Sequence, residues 1–392
     1  PGGGRWMPPA RPDSKQAPMI YLDHNATTPL DVRIQEAMQP YMERFYGNPS
    51  GLYRLGRVCR SAVDTAREQV AALVGADASS VLFTSGGTEA NNLALKGLPP
   101  QGERLLLATS ATEHPSISEA AAFLGRNGLD HQIIPVDEQG LPDMAFVENL
   151  DADRLHGVSV MLANNETGVL HPIAELADIV RRKSGWFHCD AVQAVGKIRV
   201  DFRALGVQMM SLSSHKIYGP KGVGALIVDR NVPLQPLLHG GGQEYDRRGG
   251  TENVAGIVGL GKAAELAKAE LEARMQQNVS LRQQLERGLQ RHPGCRIFAA
   301  DTPRLPNTVQ FALDGYEGET VVMVLDRKAI AVSSGSACAA GAGEPSPVLT
   351  AMGIPSDVAK GAIRISLGRF NTREDIVAVL DALATLTNTT SH

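Results

Sequence analysis

Residues 209–222 read Met-Met-Ser-Leu-Ser-Ser-His-Lys-Ile-Tyr-Gly-Pro-Lys-Gly. The first five residues favour a short buried strand, and Lys216 follows at the point where that strand would end. A lysine amine held away from water has a lowered pKa and forms Schiff bases readily. A solvated surface lysine is the ordinary alternative, but the Gly-Pro-Lys-Gly turn after Lys216 predicts a fixed position for this side chain.

The chain around this stretch, from about residue 81 to residue 229, repeats one pattern of a short apolar run, a glycine-bearing turn and a helical segment. This alternation is typical of an α/β fold in which a mainly parallel sheet lies between helices. Most of the runs are continuously apolar, as expected for strands covered on both faces. The pattern predicts seven strands, at residues 81–84, 104–109, 132–136, 157–163, 186–191, 209–213 and 224–229.

A long helical region at residues 254–291 separates this pattern from shorter elements. Predicted strands at 296–299, 308–313 and 362–367 mix with helices at 317–327 and 372–386, which indicates a smaller α+β domain. We therefore expect a large domain at residues 28–270 and a small domain formed by residues 19–27 with 271–392. Residues 1–18 crowd Gly and Pro, so we expect a disordered leader or an expression remnant outside the fold.

The composition restricts the class of ligand. Charged residues make up 20%, and 38 Lys+Arg against 42 Asp+Glu leave a net charge of −4, so we expect a small-molecule ligand and no nucleic acid. Four cysteines without a Cys-x-x-Cys pair argue against a disulfide framework and against a zinc site, and they favour a reducing, cytoplasmic compartment. No apolar run approaches the roughly 18 residues that predict a membrane span.

Two further segments follow predicted strands. Residues 84–92, Thr-Ser-Gly-Gly-Thr-Glu-Ala-Asn-Asn, place small residues before a helix, where backbone N–H groups bind phosphate, although a plain strand-to-helix turn is the alternative. In residues 188–194, His-Cys-Asp-Ala-Val-Gln-Ala, the Asp190 carboxylate could pair with a protonated ring nitrogen, although a single aspartate is more often a helix cap. Cys189 is predicted to be a small buried hydrophobe.

Taken with residues 209–222, these segments resemble the fold-type I enzymes that use pyridoxal 5'-phosphate (PLP). From residue 19 to about residue 386, further motifs resemble the cysteine desulfurase family, in its NifS/IscS-like, longer-loop class. These motifs are Tyr-Leu-Asp-His-Asn-Ala-Thr-Thr-Pro at 21–29, Thr-Glu-His at 112–114, Asn-Asn-Glu-Thr-Gly at 164–168, Arg-Gly-Gly-Thr-Glu-Asn at 248–253, Ser-Ser-Gly-Ser-Ala-Cys at 333–338 and Ile-Arg-Ile-Ser-Leu-Gly-Arg at 363–369.

The resemblance implies a set of cofactor-binding residues, which comprises Gly87, Thr88, His114, Asn165, Asp190, Gln193, Ser213, His215, Lys216 and Thr251. Lys216 would hold PLP as a Schiff base, and Asp190 would pair with its ring nitrogen. Gln193 and Asn165 would bond its phenolic oxygen. Gly87, Thr88, Ser213 and His215 would bind its phosphate, together with Thr251 from the other subunit of a homodimer.

The remaining implied residues concern the substrate. His114 would stack on the cofactor ring and serve as acid and base, and Arg364 would hold the substrate carboxylate with help from Asn165. Cys338 would accept sulfur as a persulfide. The small residues around Cys338 are typical of a mobile loop, which could deliver sulfur to an acceptor protein such as an iron–sulfur scaffold. Ala339 and Ala340 follow where family members often carry Thr or Ser.

The implied reaction converts L-cysteine to L-alanine. Selenocysteine lyase, which shares nearly every one of these motifs, is the nearest alternative. An aminotransferase on the same fold would have no need of Cys338. A non-catalytic scaffold that keeps only the fold is a third alternative, and the presence of Lys216, Asp190, His114 and Cys338 argues against it.

Overall fold

The computed structural model describes residues 19–100, 102–335 and 344–387. Residues 1–18, predicted as a leader, and Cys338 lie outside these ranges. The described strands are β1 Ile20–Tyr21, β2 Val81–Thr84, β3 Leu106–Ser110, β4 Asp130–Ile134, β5 Leu155–Ser159, β6 Trp186–Asp190, β7 Met209–Ser213, β8 Gly224–Val228, β9 Cys295–Ile297, β10 Thr308–Leu313, β11 Ile330–Ala331, β12 Ser333–Ser334 and β13 Ala362–Ser366.

The helices of the same ranges are α1 Val32–Glu43, α2 Arg54–Val74, α3 Gly87–Lys96, α4 Pro115–Arg126, α5 Met144–Glu148, α6 Ile173–Arg182, α7 Phe202–Leu205, α8 Val254–Leu289, α9 Gly318–Asp326, α10 Pro347–Ala351, α11 Ser356–Lys360 and α12 Arg373–Thr387. Short 3-10 turns occupy Ala78–Ser80, Ser214–Lys216 and Gln243–Asp246. None of these helices combines the length and the apolarity needed to cross a bilayer.

In the described part of the chain, a seven-stranded sheet has the order β2-β8-β7-β6-β5-β3-β4. The pairs β3–β4, β3–β5, β5–β6 and β6–β7 are parallel, whereas β8 runs antiparallel to both of its neighbours. The mainly parallel sheet predicted from the sequence is confirmed. Strands β2 and β7 have the predicted bounds, and the others differ by a few residues at their ends.

The largest difference concerns the strand predicted at residues 157–163. Strand β5 ends at Ser159, and Ala163 further on forms an isolated antiparallel bridge with Leu170. Val160, Met161 and Leu162 remain buried. Two backbone hydrogen bonds to β6 continue past Ser159, from the N–H of Val160 to the carbonyl of His188 and from the N–H of Leu162 to the carbonyl of Asp190, but the regular ladder ends at Ser159 and the predicted end of this strand was wrong.

Helices cover both faces of the sheet, and strand β8 shows why. Successive side chains of a strand point to opposite faces. Ala225 and Ile227 belong to the core formed with α2, α6 and α8, while Leu226 and Val228 belong to the core formed with α3 and α4. Because both faces are packed, the strand is apolar throughout, as the sequence predicted.

A second core lies around the antiparallel sheet β12-β13-β10-β9. Helix α8 contributes Leu281, Leu285 and Leu289, spaced four residues apart on one face, and Leu22 joins this core from the N-terminal segment. The N-terminal half of α8 packs instead in the first core, through residues such as Leu260. The division proposed between residues 270 and 271 falls inside α8 and stays a prediction.

A buried ion pair fixes the segment that follows the large sheet. The guanidinium of Arg67 on α2 donates two hydrogen bonds to the carboxylate of Glu244, at 2.7 and 2.8 Å, and the two side chains are only 4% and 2% exposed. Glu244 also accepts from the N–H of Phe83, at 2.9 Å. Glu244, Tyr245 and Asp246 all adopt left-handed φ values, which non-glycine residues keep only when surrounding contacts hold them.

Replacing Arg67 with methionine is therefore expected to lower the free energy of unfolding by about 3–5 kcal/mol, because the Glu244 carboxylate would stay buried without its partner. Urea unfolding followed by circular dichroism measures the change. The matched control is Arg203→Met, which breaks an ion pair with Asp77 whose side chains are 65% and 66% exposed and should change stability by less than about 1 kcal/mol. Equal losses in the two variants would contradict the prediction.

Candidate active site

A cavity of about 300 Å³ lies at the carboxyl ends of the parallel strands. Ligands of open α/β sheets bind at this edge. The residues predicted from the sequence that line this cavity are Gly87, Thr88, His114, Asn165, Asp190, Gln193, Ser213, His215, Lys216 and Arg364. The structure therefore brings together residues that are spread over more than half of the chain.

Lys216 stands on the 3-10 turn directly after β7. Its Nζ donates to the carbonyl oxygens of Asn25 and Ala26, the latter at 2.8 Å. The turn closes through a hydrogen bond of 3.0 Å from the N–H of Gly219 to the carbonyl of Ser214. A Cβ at Gly219 would lie 2.0 Å from the Ser214 hydroxyl and 3.1 Å from the Ser214 carbonyl oxygen, so a larger residue would require the turn to shift. This closed turn gives a local reason for the fixed position predicted for Lys216.

One end of the cavity has the properties of a phosphate site. Gly87 and Thr88 form the first turn of α3, where backbone N–H groups and the helix dipole favour an anion. A Cβ at Gly87 would come within 2.9 Å of the Val192 side chain, which explains the glycine. The buried hydroxyl of Ser213 has no hydrogen-bond partner among the described residues. An unsatisfied buried hydroxyl beside a helix N-terminus fits a phosphate group.

His215 lies at the same end. Its Nδ1 is 3.1 Å from the hydroxyl of Thr27. Burial, with the nearby charges of Lys216, Lys221 and Lys197, lowers the pKa of His215 to about 4. The imidazole is therefore neutral at pH 7 and can act there as a hydrogen-bond partner without carrying charge.

The Asp190 carboxylate, at the end of β6, also lines the cavity. Its Oδ1 accepts from the N–H of Val192 at 2.9 Å, and its Oδ2 accepts from the Asn91 side chain at 2.7 Å. Asn91 also donates to the hydroxyl of Ser116 at 2.8 Å. The carboxylate is thus held in one orientation by groups that only donate, which suits a partner that bears a protonated ring nitrogen.

His114 lies on the cavity wall as the N-cap of α4. Its Nδ1 accepts from the N–H of Ser116 at 3.1 Å and is 2.8 Å from the hydroxyl of the same residue. Burial lowers the pKa of His114, although the Asp190 charge opposes this effect. With Nδ1 acting as an acceptor, the neutral ring carries its proton on Nε2.

The preceding residue, Glu113, is fully buried. Burial, with a smaller effect of Asp190, raises the pKa of the Glu113 carboxyl well above its usual value. Its Oε1 accepts from the N–H of Met161 at 2.7 Å. Glu113 thus lies directly behind the part of the cavity lined by His114 and Met161.

Arg364 on β13 brings a positive charge into the cavity from the second core. Its Nη2 contacts Asp23 Oδ1 at 2.6 Å, and its Nη1 donates to the carbonyl of Asn165 at 3.1 Å. The Nε of this buried side chain has no partner among the residues described. A guanidinium fixed in this way can bind a carboxylate.

Sequence comparison identifies the group of proteins to which these residues belong. A family model described as aminotransferase class-V matches residues 20–379. A cysteine desulfurase IscS from Methanosarcina thermophila is 42% identical over 368 residues, which cover 93% of this chain and 91% of that protein. The chain belongs to the cysteine desulfurase family.

Solved structures agree with this assignment. A NifS-like protein has a TM-score of 0.89 at 35% identity and covers 95% of this chain and 100% of its own. SspA in complex with cysteine has a TM-score of 0.79 at 32% identity, with 90% and 100% of the two chains covered. The predicted fold type and the predicted PLP-dependent enzyme class are confirmed. The buried Ser213 hydroxyl, the α3 N-terminus and the Asp190 carboxylate fit PLP as the cofactor of this family.

Two predicted residues remain, one outside the cavity and one outside the described part of the chain. Thr251 is exposed just before α8 and is not among the lining residues, so its predicted contact requires a second subunit. Cys338 lies outside the described residues. Within those residues, no cluster of three or more His, Cys, Asp or Glu side chains is arranged to hold a metal ion.

Sequence reasoning missed several polar residues of this desulfurase-family site. Asn25, Asn91 and Ser116 line the cavity, and Lys197 lies behind Gln193. The first two stand inside the motifs at 21–29 and 84–92, which is the signal that could have indicated them. Lys197 interrupts an apolar run four residues after Gln193, a weaker signal.

The geometry of His114 predicts a measurable proton position. In the cofactor-free protein, we expect nitrogen-detected NMR to show the proton on Nε2 at pH 7 and a titration midpoint below 6.5, because burial disfavours the charged ring. The unfolded chain then binds more protons below pH 6.5, so His114 makes the free energy of unfolding fall as the pH decreases through that region. His114→Gln assigns the signal. A midpoint above 6.5 would disprove the expectation.

Proposed function

We propose that the protein removes sulfur from L-cysteine, releases L-alanine and leaves the sulfur on Cys338 as a persulfide. The observation that carries the proposal is the single cavity in which Lys216, Asp190 and Arg364 meet. An amine, a carboxylate at the far end and a guanidinium suit a cofactor with an aldehyde and a basic ring nitrogen, together with an amino-acid substrate. The family relationship supports this reading.

The cofactor contacts follow from the geometry. Gly87, Thr88, Ser213 and His215 would hold the phosphate, and Asp190 would bind the ring nitrogen at the other end. Lys216 would join the cofactor as a Schiff base, with the amide of Gln193 beside it. Once bound, PLP supplies a ring that accepts electrons from the substrate Cα.

A second set of residues would bind and activate the substrate. The Arg364 guanidinium, which is buried and already oriented by Asp23, would bind the substrate carboxylate through charge-assisted hydrogen bonds. Released from the cofactor, the Lys216 amine would lie next to the substrate Cα and carry its proton. His114 would stack on the cofactor ring, and its neutral imidazole would donate from Nε2–H.

The sulfur step needs a nucleophile, and we assign it to Cys338. Its thiolate would attack the substrate sulfur, so that a new S–S bond forms as the C–S bond breaks. The substrate carbon keeps the electron pair of the broken bond and takes a proton, which yields alanine. L-cysteine and the Cys338 thiol thus give L-alanine and the Cys338 persulfide, and no outside oxidant is required.

We further propose that the enzyme is a cytoplasmic homodimer that passes this sulfur to an acceptor protein, such as an iron–sulfur scaffold. The exposed position of Thr251 supports the dimer, because this residue can reach a phosphate only in another subunit's site. The small residues around Cys338 support delivery to a second protein.

The assignment of Cys338 is tested by cysteine turnover, with alanine and sulfide measured separately. Cys338→Ser is expected to lower alanine formation from cysteine by at least about 100-fold, and Lys216→Ala by a similar or larger factor. Cys295→Ser changes a thiol of β9 in the second sheet and should turn over cysteine as the unaltered enzyme does. A Cys338→Ser enzyme that turns over cysteine at the native rate would contradict the persulfide step. Retained turnover of selenocysteine alone would favour the lyase alternative.

The role of Thr251 is tested with mixed dimers. A Lys216→Ala subunit that keeps Thr251 is paired with a Thr251→Val subunit that keeps Lys216. In this dimer, the one competent site combines Lys216 of one subunit with Thr251 of the other. It should need the same PLP concentration for half-maximal turnover as the unaltered enzyme. Pairing the Lys216→Ala/Thr251→Val double variant with an unaltered subunit should raise that concentration about tenfold, since the competent site loses one phosphate hydrogen bond. Equal PLP requirements in the two dimers would exclude a contact across subunits.

A further inference from the structure

Lys197 is a buried lysine that the proposed reaction does not use. It is 8% exposed and follows the buried residues Ala194 and Val195. Its Nζ donates to Gln193 Oε1 at 2.6 Å and to Asn25 Oδ1 at 2.7 Å. Both of these acceptors are neutral amide oxygens rather than carboxylates.

The energetics of this arrangement need an explanation. Burial, together with the charges of Lys216 and Arg364, holds the pKa of Lys197 well below its usual value. A buried amine without a carboxylate partner is unfavourable, and an apolar side chain of similar length would fill the same space at lower cost. Stability alone therefore does not account for a lysine here.

The hydrogen bonds of Lys197 fix the orientation of the Gln193 amide. Because the amine donates to Oε1, the NH2 group of Gln193 must point the other way, where it donates to the carbonyl oxygen of Asn25 at 2.9 Å. Lys216 donates to the same carbonyl oxygen. The NH2 group of Gln193 and the amine of Lys216 therefore meet at one atom on the cavity wall.

The chemistry of PLP gives a reason for the Gln193 NH2 group and the Lys216 amine to lie side by side. The phenolic oxygen of PLP is attached to the ring carbon next to the one that bears the aldehyde, so a group that binds this oxygen must lie beside the lysine that reacts with the aldehyde. An ionised phenolic oxygen accepts hydrogen bonds and would be repelled by an amide oxygen. Gln193 can serve only with its NH2 group directed to the cavity.

We infer that Lys197 is a positioning residue that holds the Gln193 amide with its NH2 group toward the phenolic oxygen of PLP and so sets the affinity for the cofactor. This inference rests on the proposed contact between Gln193 and PLP. Asn25 is held by the same amine: its Oδ1 accepts from Lys197 and from Asn307, while its Nδ2 donates to the carbonyl of Asn165.

Lys197→Met tests the inference, because methionine has similar length and no donor. The variant without PLP should unfold at the same or a higher urea concentration than the unaltered protein, since the buried amine is gone. Its dissociation constant for PLP, measured by equilibrium dialysis, should rise about tenfold or more as the freed amide loses its fixed orientation. The control is Lys262→Met. Lys262 lies on α8, is partly exposed and pairs with Glu265, and its replacement should leave the dissociation constant for PLP unchanged.

A double-variant cycle shows whether Lys197 acts through Gln193. Gln193→Leu alone should weaken PLP binding, and adding Lys197→Met to it should change the constant less than about twofold. Native PLP affinity in Lys197→Met, or effects that multiply in the double variant, would overturn the inference while leaving the proposed function intact. Native affinity in Gln193→Leu would instead show that Gln193 does not bind PLP, which removes the contact on which the inference rests. If Lys197→Met does not fold, Lys197→Leu, which also lacks a donor, is measured in the same way.

Discussion

Asn25 joins the antiparallel sheet to the large sheet at the active site. Its backbone N–H donates to the hydroxyl of Ser366 on β13, and its side chain donates to the hydroxyl of Thr308 on β10, so it is bound to the second sheet. Its carbonyl oxygen accepts from Lys216, which stands at the edge of the large sheet. Asn25, Thr308 and Ser366 are polar and buried, and buried polar groups are seldom left without hydrogen bonds. The segment must therefore keep one position, and that position sets the relation of Arg364 to Lys216.

The charges of the cavity follow from this arrangement. Burial keeps His215 neutral, and the guanidinium of Arg364 is balanced by Asp23. Burial also raises the pKa of the Glu113 carboxyl well above its usual value, while Asp190 lines the cavity and is held by Asn91 and Val192. Under the proposed function, the phosphate and the substrate carboxylate would bind at two separate points, and Asp190 would face the ring nitrogen.

The sequence could predict those parts of the site that depend on short segments. Asp190 and Gln193 lie in one segment of seven residues, and Lys216 directly follows a strand whose bounds were predicted correctly, because continuous apolar runs between turns leave little choice of register. The end of β5 was wrong because the apolar run and two hydrogen bonds to β6 continue past Ser159, where the regular ladder ends. The bond between Asn25 and Lys197 joins residues 172 positions apart, and no local pattern indicates such a pairing. The contacts of Asn91 with Asp190 and Ser116 escaped for the same reason.

Asp190 and Gln193 are each held in position by a hydrogen bond from a buried donor. Asn91 stands beside Asp190 on the cavity wall and its amide donates to the carboxylate, and behind Gln193 stands Lys197, whose amine donates to the amide oxygen. Asn91 holds the Asp190 carboxylate in one orientation, whereas Lys197 fixes which atom of the Gln193 amide is left to face the cavity. An amide can rotate to exchange its oxygen and nitrogen with little change in shape, so packing alone cannot select the useful orientation. A buried donor such as Lys197 selects this orientation through its hydrogen bond. The desolvation of the donor costs stability, but an amide that faced the cavity with its oxygen would repel the atom that it should bind.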